Sequence, residues 1–142
     1  MKGNNPLQAY RETQIKTANQ GKLIIMLYDG AIKNINLAME LLDEKKKQYD
    51  RISNSIIKAQ DIITELIVSL DFEKGGDIAK NLFSLYIFMN RQLLDANINK
   101  DKAPLESVKK MLSDLREAWA EVARKTGGKI SENNGGGVNI AG

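Results

Sequence analysis

From Asn5 to about residue 126 the apolar residues of this chain recur at steps of three and four, and nowhere do they alternate as a strand requires. A chain patterned in this way can bury those residues only as packed helices. Asn5-Pro6 reads as an N-cap and a first-turn proline. It opens a short helix to about Gln14, with Leu7 and Tyr10 on one side. Asn19 caps a long helix from about Gly21 to Glu44, and the loop Lys45–Gln48 leads to a third helix over Tyr49 to Leu70. Asp71–Gly76 turns the chain through Gly75-Gly76, and Asp77 stands in the first turn of a helix ending near Asn99. Pro104 then opens a last helix, which Thr126-Gly127-Gly128 ends. Short connections between long helices make neighbours antiparallel. The expected fold is all-α, an antiparallel four-helix bundle with a short extra N-terminal helix. Residues 1–126 form the bundle domain, 1–17 being its N-terminal segment. Six of the eleven glycines fall within 127–142, which is expected to be a flexible, disordered tail.

Composition narrows the chemistry. The 142 residues include no cysteine and no histidine, which removes disulfides, thiol nucleophiles, Cys/His zinc sites and Ser-His-Asp catalysis. No carboxylate cluster takes their place, so neither an enzyme nor a cofactor or metal is expected. The net charge is only +3. The one basic run, Lys45-Lys46-Lys47, is flanked by Asp43, Glu44 and Asp50 and reads as a solvated loop, which argues against nucleic acid. Met1-Lys2 leads into Gly3-Asn4-Asn5-Pro6 without a signal-peptide pattern, and no stretch reaches the ~18 apolar residues of a membrane span. The expectation is a cytoplasmic protein without membrane insertion.

The distribution of apolar residues is more telling than their total. The last helix carries one stripe, Leu105, Val108, Leu112, Leu115, Trp119 and Val122, which faces one core. The helix over 49–70 has an equally simple seam of Ile52, Ile56, Ala59, Ile63, Leu66 and Leu70. The helix over 21–44 differs. Beside the core stripe Ile24, Leu27, Tyr28, Ala31, Ile35, Ala38 and Leu42 it has a second row, Leu23, Gly30, Leu37 and Leu41, and a third, Ile25, Ile32 and Met39. The helix over 77–99 repeats the excess: Phe83, Ile87, Leu94 and Ile98 form a row apart from the seam Ala79, Leu82, Tyr86, Met89, Leu93 and Ala96. A diagonal position, touching both other helices, accounts for part of this surplus. The rest implies outer faces that something covers. The short N-terminal helix, too short to persist alone, would serve as a removable lid. This pattern suits a module that accepts amphipathic helices in apolar grooves. Tyr28, Tyr86 and Trp119 read as packing residues, and Asp29 as a solvated or helix-pairing charge.

The segment Lys22-Leu23-Ile24-Ile25-Met26-Leu27-Tyr28-Asp29-Gly30-Ala31 resembles the signature of the flagellar secretion chaperone family FliS. The likeness continues through Lys58-Ala59-Gln60-Asp61-Ile62-Ile63-Thr64-Glu65-Leu66, Gly75-Gly76-Asp77-Ile78-Ala79, Leu93-Leu94-Asp95-Ala96-Asn97 and Arg116-Glu117-Ala118-Trp119. It is collinear over about residues 5–125. The resemblance implies a cytoplasmic bacterial chaperone that binds the disordered C-terminal segment of flagellin. Such a chaperone prevents premature polymerisation and delivers its cargo, as the complex, to the flagellar type III export gate. It also implies an N-terminal segment lying over part of the binding surface. The family pattern Asn-Pro-Tyr-x-x-Tyr departs here, with Leu7 at the first tyrosine position and Tyr10 at the second. The residues expected to line the flagellin-binding groove are Leu23, Met26, Ile32 and Met39, with Phe83, Ile87 and Leu94. Leu7 and Tyr10 belong to the lid. The alternative is a helical adaptor for another amphipathic helix, such as an anti-sigma factor or an export component.

Overall fold

The computed structural model describes the backbone of residues 6–134 and the side chains of residues 20–125. Four helices follow one another: α1 (Pro6–Asp43), α2 (Tyr49–Val68), α3 (Phe72–Asn99) and α4 (Lys102–Asn134). Contacts divide the chain into two units, Leu27–Arg116 and the combination of Met1–Met26 with Glu117–Gly142. The first unit contains part of every helix.

Within Leu27–Arg116 the helices form an antiparallel four-helix bundle around the residues that the periodicity selects. Tyr28, Ala31, Ile35, Ala38 and Leu42 of α1 are buried against Ile52, Ile56, Ala59, Ile63 and Leu66 of α2 and Ala79, Tyr86, Met89, Leu93 and Ala96 of α3. Leu105, Val108 and Leu112 of α4 complete the core. The direction of each neighbour is legible in its cross-links. Ser53 meets Asn97 and Gln60 meets Asn90 between α2 and α3, so the numbers fall on one helix as they rise on the other. Asp29 with Arg116 and Asp43 with Lys102 give the same reversal between α1 and α4. α1 approaches α2 at Gly30, where an added Cβ would stand 3.2 Å from Ile62 Cδ1. α1 and α3 are therefore diagonal, and Tyr28 and Tyr86 bridge that diagonal through their hydroxyls.

Caps explain the turns. Asp71 accepts the backbone N–H groups of Glu73 and Lys74, both at 3.0 Å, which starts α3. Gly76, at φ 52° and ψ −127°, breaks α3 after its first turn in a conformation that glycine alone adopts readily. The expected turn through Gly75-Gly76 is thus present, preceded by one extra helical turn. At the other end Lys100 takes the left-handed C-cap conformation, and Asp101 N–H returns to Ala96 O at 3.1 Å. Asp101 Oδ1 accepts from Ala103 N–H, placing Pro104 in the first turn of α4, where its missing donor costs nothing.

Two boundaries differ from the sequence expectation. The stretch read as a separate short helix at 6–14 is helical, but it belongs to α1, which runs unbroken past Asn19 to Asp43. Asn19 and Gly21 are weak helix formers, and nothing in their neighbourhood forces a stop. The glycine pair at 127–128 also fails to end α4, which continues to Asn134. Glycine in a helix costs about 1 kcal/mol relative to alanine, which weakens a helix without terminating it. Residues 135–142 of the expected tail lie outside the described residues. In the second unit Ile24 is buried and Met26 and Val122 are exposed. Trp119, expected in the core, is only partly buried.

Candidate functional site

Among the described residues no group of acidic side chains is placed to hold a metal ion, and no helix is long and apolar enough to cross a membrane. The feature that needs explaining is exposed apolar surface. Phe83, Ile87, Leu94 and Ile98 stand on one face of α3 at 39%, 36%, 48% and 68% exposure. Steps of four and seven residues keep them in a single row.

That row borders the seam between α2 and α3. The α2 residues that reach α3 are Ser53, Gln60 and Thr64, and one face of α2 carries them together with Ile57 and Val68. On α3 the partners Asn90 and Asn97 lie in the row of Phe83, Ile87 and Leu94. In this register Ile57 stands opposite Leu94, between the Ser53–Asn97 and Gln60–Asn90 cross-links. Ile57 and Val68 are exposed at 45% and 78%. The result is a shallow groove with apolar rims and a ladder of amide and hydroxyl groups along its floor. The ladder bonds are long: Gln60 Nε2 donates to Asn90 O at 3.3 Å and Asn90 Nδ2 to Thr64 Oγ1 at 3.4 Å. Asn90 Oδ1 is buried with no hydrogen-bond partner. At the Ser53 end the ladder is firmer, because the Lys100 ammonium donates to Asn97 Oδ1 at 2.7 Å and to Ser53 Oγ at 3.2 Å.

The opposite side of the unit is built differently. Ile32 and Met39 flank the core on the side of α1 that faces α4, and both are half-buried. Asp29 and Arg116 span the two helices, with Arg116 Nε donating to Asp29 Oδ1 at 2.8 Å. A second ion pair joins Lys102 and Asp43 at 2.8 Å; that bond, foremost, raises the pKa of the Lys102 ammonium. Ile32 and Met39 therefore do not share a groove with Phe83, Ile87 and Leu94. Leu23 and Met26, in the other unit, are exposed. The side chains of Leu7 and Tyr10 lie outside the described residues. Tyr28 and Tyr86 are core residues, and burial pushes the Tyr86 hydroxyl above its ordinary pKa while the bond with Tyr28 acts in the opposite sense.

Sequence reasoning selected the α3 row and missed its counterpart. Ile57 and Val68 lie off a seam that is complete without them, so the pattern of α2 calls for no second face. The available signal was Ile57 itself, an isoleucine directly after the core residue Ile56 and hence turned away from it.

The fold and this face define a helical bundle that keeps an apolar groove open at its surface, the architecture of a binding module. The family model described as "Flagellar protein FliS" matches residues 3–126. The chain is 34% identical over 117 residues to the flagellar secretion chaperone FliS of Bacillus subtilis (strain 168), an alignment covering 82% of this chain and 85% of that protein. It is 38% identical over 117 residues to the flagellar secretion chaperone FliS of Salmonella typhimurium, covering 80% and 84%. With that of Escherichia coli it shares 34% over 111 residues, covering 78% and 80%. The chain belongs to the FliS family of flagellar secretion chaperones.

Proposed function

We propose that this protein is a non-catalytic, cytosolic chaperone for flagellin. It takes the disordered C-terminal segment of flagellin into apolar grooves as helix, prevents premature polymerisation and passes the complex to the flagellar type III export apparatus. The observation that carries this reading is the exposed apolar α3 row Phe83, Ile87, Leu94 and Ile98, with Ile57 and Val68 exposed on the neighbouring α2. A disordered segment that folds on binding gives up several kcal/mol to ordering. Apolar burial at about 25 cal/mol per Å² offsets this only if a long segment is covered. The exposed residues Leu23 and Met26 of α1, with Ile32 and Met39, extend the proposed contact beyond one groove. Leu7 and Tyr10 are assigned in this reading to an N-terminal lid.

Co-purification with flagellin lacking its last few dozen residues tests the reading. Loss of binding is expected. Retention would transfer the groove to a different amphipathic helix. Phe83→Asp or Leu94→Asp should weaken flagellin binding at least tenfold, because an unpaired carboxylate would be desolvated in the interface. Both residues are part-exposed, so thermal unfolding should move by only a few degrees.

A further inference from the structure

The first turn of α3 is folded back on its own helix. Phe72 and Phe83 would be about 16 Å apart along the axis of an unbroken helix. Their ring centroids are instead 5.9 Å apart, with the rings inclined at 70° in an edge-to-face arrangement. The reversal is made at Gly76, where φ is 52° and ψ is −127°. It is held from both sides. Asp71 caps the turn through Glu73 and Lys74, and Gly75 N–H bonds back to Asp71 O at 2.8 Å. Gly75 also lies so close to the continuing helix that an added Cβ would be 2.8 Å from Ala79 Cβ. The two adjacent glycines therefore serve different ends: one permits the reversal and the other permits the contact. Phe83 is the last member of the exposed α3 row, and Phe72, 47% exposed, stands against it.

We propose that this reversed turn, with Phe72 at its tip, is a fixed end wall of the α2/α3 groove and limits the helix that the groove accepts. The inference rests on the flagellin reading and specifies the length of what that site binds. The row from Ile98 to Phe83 spans about 22 Å, or roughly four helical turns. An amphipathic helix of that length occupies the row fully. A longer one meets Phe72 at one end and must bend away there, whereas at its other end the row simply stops at Ile98, one residue before α3 ends. Phe72 is thus a specificity-determining residue for length and direction.

The test uses the full chain and fluorescence anisotropy with labelled peptides from the flagellin C-terminal segment, lengthened one turn at a time from either end. With the native protein, affinity should rise up to about four turns, then level off for extension past Ile98 and fall for extension past Phe83. Phe72→Ala should remove that fall, so that extension past Phe83 levels off as it does past Ile98, while the four-turn peptide stays within about twofold of its native affinity. Gly76→Ala, which strains the reversal without removing the ring, should lessen the same fall. A variant that merely loosens the fold lowers affinity for all lengths by the same factor, and that result would overturn the proposal. So would continued gain at both ends in the native protein. If no peptide binds the native protein at all, the flagellin reading falls together with the wall; if peptides bind but length makes no difference, only the wall falls.

Discussion

Tyr28 and Tyr86 meet in the core of the Leu27–Arg116 unit, whose other buried residues are mostly isoleucine, leucine and alanine. A hydroxyl taken out of water there must be bonded, and each provides for the other. Burial raises the Tyr86 pKa above its usual value of about 10. The sign of the consequence follows from linkage. The folded state then holds its proton more tightly than the unfolded state, so this contribution is fully present below about pH 10 and is lost as pH rises through the folded value. The urea midpoint of the native protein should therefore fall above pH 10, and the fall should be smaller in Tyr86→Phe. At neutral pH the same variant should lose about 1 kcal/mol, the usual worth of one such bond. A pH-independent difference between the two proteins would contradict this account. At this scale much was legible in the sequence: both tyrosines sat on apolar seams that demanded burial. Their pairing was not, because periodicity gives the face of a residue and not its partner across the core. Trp119 shows the reverse error, since a seam position ensures burial only where another helix covers it.

Among the elements, α3 shows how little sequence separates a continuous helix from a broken one. Asp71 and Gly75-Gly76 announced a turn, and the turn is there. Phe72 folding back onto Phe83 was not foreseeable, because it depends on the φ and ψ of Gly76 and on the absence of a side chain at Gly75. The two positions should fail differently. Gly76→Ala forces an L-residue into a conformation that costs about 1–3 kcal/mol, whatever space is available. Gly75→Ala has an ordinary backbone but a methyl group at 2.8 Å from Ala79 Cβ, so Ala79→Gly in the same chain should recover much of its loss while leaving the Gly76→Ala loss unchanged. Denaturant unfolding of the two singles and two doubles would establish this, and equal rescue in both would refute it. The helix ends were the least legible feature. α1 absorbs the segment expected to stand apart, and α4 runs through Gly127-Gly128, because a weak helix former lowers local stability without dictating a stop.

In the bundle as a whole, the diagonal position of α1 and α3 explains part of the α1 surplus, while the surplus row of α3 stays exposed. A diagonal helix has two flanks to cover, so Gly30 meets α2 while Ile32 and Met39 turn toward α4. The sequence showed that these helices carried more than one core needs, but it could not divide the excess between flanks and open surface. The groove that remains has apolar rims interrupted by Gln60, Thr64, Asn90 and Asn97. The Asn90 side chain contributes little to the fold that an apolar residue would not, given its unpaired oxygen and the single long bond it donates to Thr64. Asn90→Leu should accordingly leave unfolding stability equal or higher. The cost should emerge elsewhere. With leucine at this position the rims and floor fuse into one continuous oily strip, and light scattering of the concentrated protein should rise. If it stays flat, the amide ladder has no such role. A rise would mark the ladder as a colloidal device: it divides a sticky face into stripes too narrow for two copies to adhere, so the protein stays dispersed while the groove stands empty.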